Sequence, residues 1–274
     1  MVAVAMGAFG TLIGSFLNVV VYRVPLGKSI VSPPSACGSC GHAVRGFDNI
    51  PLVSWFVLRG KCRDCSAPIS IRYPLVELAG AALFAAVTLR FWAPITEATV
   101  GPSLVGGVLA LVAFLYLGAI SIALALIDLD THRLPNVIVL PAYAVGAVLL
   151  SAASVLAGDV ESIARAAAGI VIMGGIYLLL AVVRPGGMGM GDVKLAGVLG
   201  LFLAWLGWDV LAVGILAGFM LGGLFGVALL LFRRVSASTG IPFGPWMLAG
   251  AWISIFWGRE ISAAYLALFG LGGS

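Results

Sequence analysis

Long apolar runs separated by short polar connections set the layout of this chain. Runs of about 18 or more mostly apolar residues are candidate membrane helices. The pattern predicts eight of them, at roughly residues 3–22, 74–94, 103–127, 137–157, 164–183, 192–207, 210–232 and 242–258, the sixth and eighth being short. The pattern breaks once at length, from about Pro25 to Tyr73, where polar residues dominate. The expected fold is therefore an all-α polytopic membrane protein of about eight transmembrane helices. Its expected division is a first span at 1–24, a small polar domain at 25–73 and a membrane-embedded core at 74–274.

Composition agrees with this layout and excludes an ordinary soluble domain. Hydrophobic residues make up 62% and charged residues 9%, against about 25% charged in soluble domains. The net charge of +4 matters through its location, because Lys and Arg in short loops mark the cytoplasmic face. The eight spans place twelve basic residues, among them Arg23, Arg45, Arg63, Arg72, Arg133, Lys194, Arg233 and Arg234, on one face and three, Arg90, Arg165 and Arg259, on the other. The first face is read as cytoplasmic, with both termini outside. The apolar tail Ile261–Leu271 is too short to span and is expected along the outer interface. The first run has no basic residue before its apolar part, so it reads as a span and not as a cleaved leader. No nucleic-acid partner is expected; the surrounding bilayer is the expected environment.

The polar segment holds Cys37-Gly-Ser-Cys40 and Cys62-Arg-Asp-Cys65, all the cysteines in the chain. Two C-x-x-C turns about twenty residues apart match the spacing of a four-cysteine zinc site. A segment this small builds little core, so a metal would supply the missing folding energy. A cytoplasmic location disfavours disulfides; two redox pairs are the other reading. Four thiolates close the zinc shell, so the metal is structural and not catalytic. His42 is a reserve ligand.

Acidic residues near membrane spans are costly and mark function. Asp192 lies in Gly187-Met188-Gly189-Met190-Gly191-Asp192-Val193-Lys194. Two readings fit it: one half of a proteolytic aspartate pair, or the cap of a helix start. The other half would be Asp128, which ends the third span and reaches the same face. Asp130 competes with it, but on a helix the two point about 200° apart, and Asp128 is nearer the apolar run. Paired carboxylates suit peptide hydrolysis, because repulsion makes one hold a proton while the other is ionised. Gly189 and Gly191 would let an extended substrate approach. Lys194 either holds the Asp192 turn or meets lipid phosphate. Glu77, about one turn into the second span, is either functional or paired with an arginine. Asn18 reads as packing glue or as a polar contact. A proton- or cation-coupled transporter using Asp128 and Asp192 is the competing function, and a zinc-bearing scaffold is a third.

Taken together, these residues resemble the type IV prepilin peptidases, membrane aspartic proteases with a G-x-G-D motif. The resemblance rests on Gly14 to Pro25, the two C-x-x-C pairs, Arg72 to Glu77, Asp128 to Asn136, Gly189 to Lys194 and Pro242 to Pro245, in that order along the chain. It implies removal of the basic leader from type IV prepilins or type II secretion pseudopilins, at the cytoplasmic side of the bacterial inner membrane. It carries Asp128 and Asp192 over as the catalytic pair. It also implies methylation of the new N-terminus with S-adenosylmethionine, for which Asn18 and Glu77 are candidate neighbourhoods. Asp48, Asp64, Asp128 and Asp130 are expected to guide the basic leader past the basic loop.

Overall fold

The computed structural model describes residues 1–97, 101–184, 188–231 and 242–270. Gly187, Arg233, Arg234 and the approach to the last span, Ser236–Ile241, lie outside them. Among the described residues there is no strand, only two isolated bridges. The helices are α1 Val2–Arg23, α2 Val53–Val57, α3 Arg72–Glu97, α4 Pro102–Thr131, α5 Asn136–Ala157, α6 Glu161–Val183, α7 Met190–Leu206, α8 Trp208–Leu231 and α9 Gly244–Leu268. Each of the eight expected spans is thus a helix. Six of them, α1, α3, α4, α5, α6 and α8, are long and apolar enough to cross a membrane. The remaining two are the pair flagged as short, and α7 has 17 residues. The tail differs from expectation: Ile261–Leu268 is no separate segment but continues α9.

Two compact units divide the chain, Met1–Pro94 with Phe114–Ile127, and Ile95–Ala113 with Asp128–Ser274. In the first unit α1 and α3 run antiparallel. Gly10 lies on the Gly80 carbonyl, and Gly14 leaves no room beside Glu77, whose Cα would sit 2.6 Å from an added methyl. Small residues let two apolar helices approach this closely, which is how helices associate in lipid.

In the second unit α7 is the central helix. Its residues Leu195 to Ala204 are all buried, and it packs on α5, α6, α8 and α9. A helix that is apolar on every side belongs in such a position. Gly169 of α6 and Gly200 of α7 meet backbone to backbone. The turn ends are locally encoded. His132 closes α4 in the left-handed region at φ 52°, and Pro135 precedes the first turn of α5.

Candidate active site and metal centre

Asp128 lies one turn before the end of α4, 4% exposed. Its Oδ2 accepts the Gly244 N–H at 3.0 Å. Asp130, two residues on, is exposed, as the helical phase requires. Asp192 is the third residue of α7 and half-buried. Its Oδ2 accepts the Gly189 N–H at 3.1 Å, the side-chain half of a capping box. The cap reading of Asp192 is therefore correct as local structure, and it orients the carboxylate. Leu134 packs against Gly191, which precedes Asp192, and against Gly244, whose N–H holds Asp128. A methyl added at Gly191 would lie 3.0 Å from Leu134 Cβ; one at Gly244 would lie 3.4 Å from Leu134 Cδ2 and 2.7 Å from Asp128 Oδ2. The two carboxylates lie within Coulombic range of each other. Two acids 64 positions apart in sequence thus each accept a glycine N–H in the second unit, with Leu134 packed against Gly191 and Gly244 between their neighbourhoods.

Lys194 Nζ donates to Asn136 Oδ1 at 3.0 Å, tying the start of α7 to the start of α5. Tyr143 Oη donates to the Lys194 carbonyl at 2.7 Å and lies against Gly197. Lys194 thus holds the Asp192 turn through Asn136. Sequence reasoning missed Tyr143; only its i, i+7 spacing from Asn136 on α5 hinted at it. It also treated Gly244 as part of a rigid turn, whereas its N–H holds Asp128.

Asn18 and Glu77 come together in the first unit. Asn18 Nδ2 donates to the Tyr73 carbonyl at 3.3 Å. Glu77 is 8% exposed, and its Oε2 accepts the Leu52 N–H at 2.6 Å. Leu52 stands at φ 61°, so the Glu77 bond steadies a strained corner just before α2. Glu77 ties the polar segment to α3 through this bond and forms no arginine pair among the described residues.

The four cysteines converge. The sulfurs of Cys37, Cys40, Cys62 and Cys65 all lie within 4.8 Å of one another, and Cys37 and Cys65 are 3.8 Å apart. A tetrahedron with metal–sulfur bonds of about 2.3 Å has sulfur edges of about 3.8 Å. Each C-x-x-C turn repeats the same backbone bonds. Cys37 N–H donates to the His42 carbonyl and Gly41 N–H to the Cys37 carbonyl; Cys62 N–H donates to the Ala67 carbonyl and Ser66 N–H to the Cys62 carbonyl. The N–H groups of Cys40 and Ser39 favour the Cys37 thiolate and pull its thiol down to about 6. At Cys65 the Ala67 N–H favours the thiolate, yet burial and the neighbouring cysteines push the thiol up to about 12. Four thiols in one place cannot all ionise unaided, and a dication removes that conflict. The segment supplies little core of its own. Between residues 27 and 71 only Ser54 and Gly60 are buried, with Trp55 laid over Gly60 and donating to the Ile69 carbonyl at 3.2 Å. The donor set fits zinc. His42 is outside the cluster.

Asp48 and Asp64, expected to help guide a basic leader, are both ion-paired within the loop. Asp48 takes both Arg63 nitrogens, at 2.6 to 3.1 Å, and Asp64 pairs with Arg45 at 2.8 Å. These two pairs tie the stretch after the first C-x-x-C turn to the second one.

The chain matches the Bacterial Peptidase A24 N-terminal domain over residues 8–91 and the type IV leader peptidase family over residues 115–227. Relatives named prepilin leader peptidase/N-methyltransferase align along nearly its whole length. Those of Pseudomonas putida and Aeromonas hydrophila are each 37% identical, over 95% of this chain and 92% of theirs. That of Pseudomonas aeruginosa is 36% identical over the same shares. No solved structure matches the chain.

Proposed function

The chain belongs to the type IV leader peptidase family, and from that premise we propose that it removes the leader peptide of prepilins and methylates the N-terminus so exposed. It is a multi-pass membrane protein. The substrates are type IV prepilins or type II secretion pseudopilins with basic leaders. The active end faces the cytoplasm across the bacterial inner membrane, in keeping with the twelve basic residues on that face.

Asp128 and Asp192 are the catalytic pair. The observation that supports this most is their setting: each accepts a glycine N–H, and both lie around Leu134. An ionised carboxylate takes a proton from water, whose oxygen attacks the scissile carbonyl carbon. The tetrahedral carbon then breaks its C–N bond as the protonated carboxyl gives its proton to the leaving amine. The pair titrates as a unit, so neither role belongs to one residue alone. Gly189 and Gly191 leave the Asp192 side open to an extended backbone, and Lys194 steadies that turn.

Zinc on Cys37, Cys40, Cys62 and Cys65 supplies folding energy to the polar domain and takes no part in the cut. S-adenosylmethionine supplies the methyl group of the second reaction. For that half the chain offers the region where α1, α3 and the polar domain meet. There the buried Glu77 carboxylate suits a cationic sulfonium and can receive the proton that the amine loses, while Asn18 holds the neighbouring turn.

A cleavage assay on a prepilin tests the proposal. Asp128→Asn and Asp192→Asn, both folded, are each expected to lose cutting and to retain zinc. If either variant cuts at the wild-type rate, the pair is wrong. The transport reading of the same two acids finds no support in the relatives' names, and proton-coupled uptake lost in both variants would be needed to revive it.

A further inference from the structure

The buried positions of α6 fall on one stripe, Ser162, Ala166, Gly169, Met173 and Tyr177. That stripe faces α7, which runs antiparallel to it. Gly169 lies on the Gly200 carbonyl, and a methyl at Gly174 would sit 3.6 Å from the Gly197 Cα. Carrying the same register one turn further sets Tyr177 level with the first turn of α7, the turn that bears Asp192.

The surroundings of Tyr177 agree with that level. Its ring stacks on Phe219 of α8, with centroids 5.0 Å apart and 26° between planes. The same ring lies 6.0 Å from Phe243, the residue directly before the Gly244 whose N–H holds Asp128. Asp192 is within Coulombic range of the Tyr177 side chain. The residue is 0% exposed, and among the described residues its hydroxyl has no hydrogen-bond partner.

A buried hydroxyl without a partner lowers stability. Phenylalanine would fill the same stack without that loss. Packing alone therefore does not account for the oxygen at this position. An extended peptide cut by the two aspartates carries a carbonyl oxygen that gains negative charge as water attacks. A donor already fixed by its neighbours stabilises such charge without reorganising.

We propose that Tyr177 is a further catalytic residue of the peptidase, donating its hydroxyl hydrogen bond to the scissile carbonyl oxygen as the tetrahedral intermediate forms. This rests on the reading of Asp128 and Asp192 as the cleaving pair.

Tyr177→Phe keeps the ring and its stacking partners, so the variant folds and melts as wild type or slightly higher. Its kcat for prepilin cleavage falls about 100-fold with KM within about twofold, the size expected on losing one oxyanion donor. A peptide analogue carrying a tetrahedral hydroxyl at the scissile position binds about 100-fold more weakly, while the uncleaved substrate binds as before. A purely structural tyrosine would move both affinities together. Wild-type kcat and unchanged analogue affinity in Tyr177→Phe, with Asp128→Asn and Asp192→Asn inactive, would overturn the tyrosine's role and leave the pair standing. Cleavage by the aspartate variants at the wild-type rate would overturn the pair and the tyrosine with it.

Discussion

Gly244→Ala adds one methyl at the point where Asp128 is held. That methyl would lie 2.7 Å from Asp128 Oδ2 and 3.3 Å from its Cγ. Carbon and carboxylate oxygen normally stay at least about 3.3 Å apart, so the carboxylate must give way by about 0.6 Å. The Gly244 N–H remains, but its bond to Oδ2 at 3.0 Å cannot keep both length and direction. A misplacement of about 1 Å at a reacting group costs about 100-fold, so a loss of roughly 10- to 100-fold in kcat is expected. Gly244 is the first residue of α9, where alanine is the better helix former by up to about 1 kcal/mol. Global stability is therefore expected to hold, and activity alone to fall. The assay is prepilin cleavage by purified protein in lipid, run beside a thermal melt. Wild-type kcat in a folded Gly244→Ala variant would refute the claim that this contact places Asp128.

Three further outcomes follow from the same contacts. Cys40→Ser leaves three thiolates, and elemental analysis is expected to show lost zinc, with methylation harmed more than cleavage; full zinc occupancy would argue against the four-cysteine site. Gly200→Val drives a side chain into the Gly169 backbone, and overpacking of this kind costs about 1–3 kcal/mol, read as easier unfolding of the second unit in a denaturant titration. The Arg63 guanidinium bonded to Asp48 holds its carboxyl below the usual carboxylate range. Because the folded value is the depressed one, the contribution of this pair to loop stability is present in full above the ordinary carboxylate pKa and is lost as pH falls through the folded value. The protection factors of the amides over residues 46–49, with the intrinsic rate at each pH divided out, are expected to hold from neutrality down to the ordinary carboxylate range and to fall below it, whereas Arg63→Gln shows low protection already at neutral pH.

Apolar periodicity placed every long helix, because a run that must cross or fill a bilayer has few other options. It could not say where α9 ends: Ile261–Leu268 is too short to span alone, and only its continuity with Gly244 to Glu260 gives it a place. The cysteine spacing was legible because a tetrahedral metal demands it. Asp128 was separable from Asp130 by helical phase together with its place nearer the apolar run. Tyr143 and Tyr177 were not legible, since a tyrosine in an apolar helix looks the same whether its hydroxyl meets a carbonyl, as Tyr143 does, or meets no partner among the described residues, as for Tyr177. Long-range partners were hidden for the same reason. Nothing near Glu77 in sequence announces the Leu52 N–H, and nothing near Asp48 announces Arg63.

The most direct measurement is a structure of the protein bound to a peptide analogue with a tetrahedral hydroxyl at the cut position. The account predicts that carboxylate oxygens of both Asp128 and Asp192 lie within hydrogen-bond distance, about 2.5–3.0 Å, of that one hydroxyl. A bound analogue whose hydroxyl meets only one of them, with the other turned away, would contradict it.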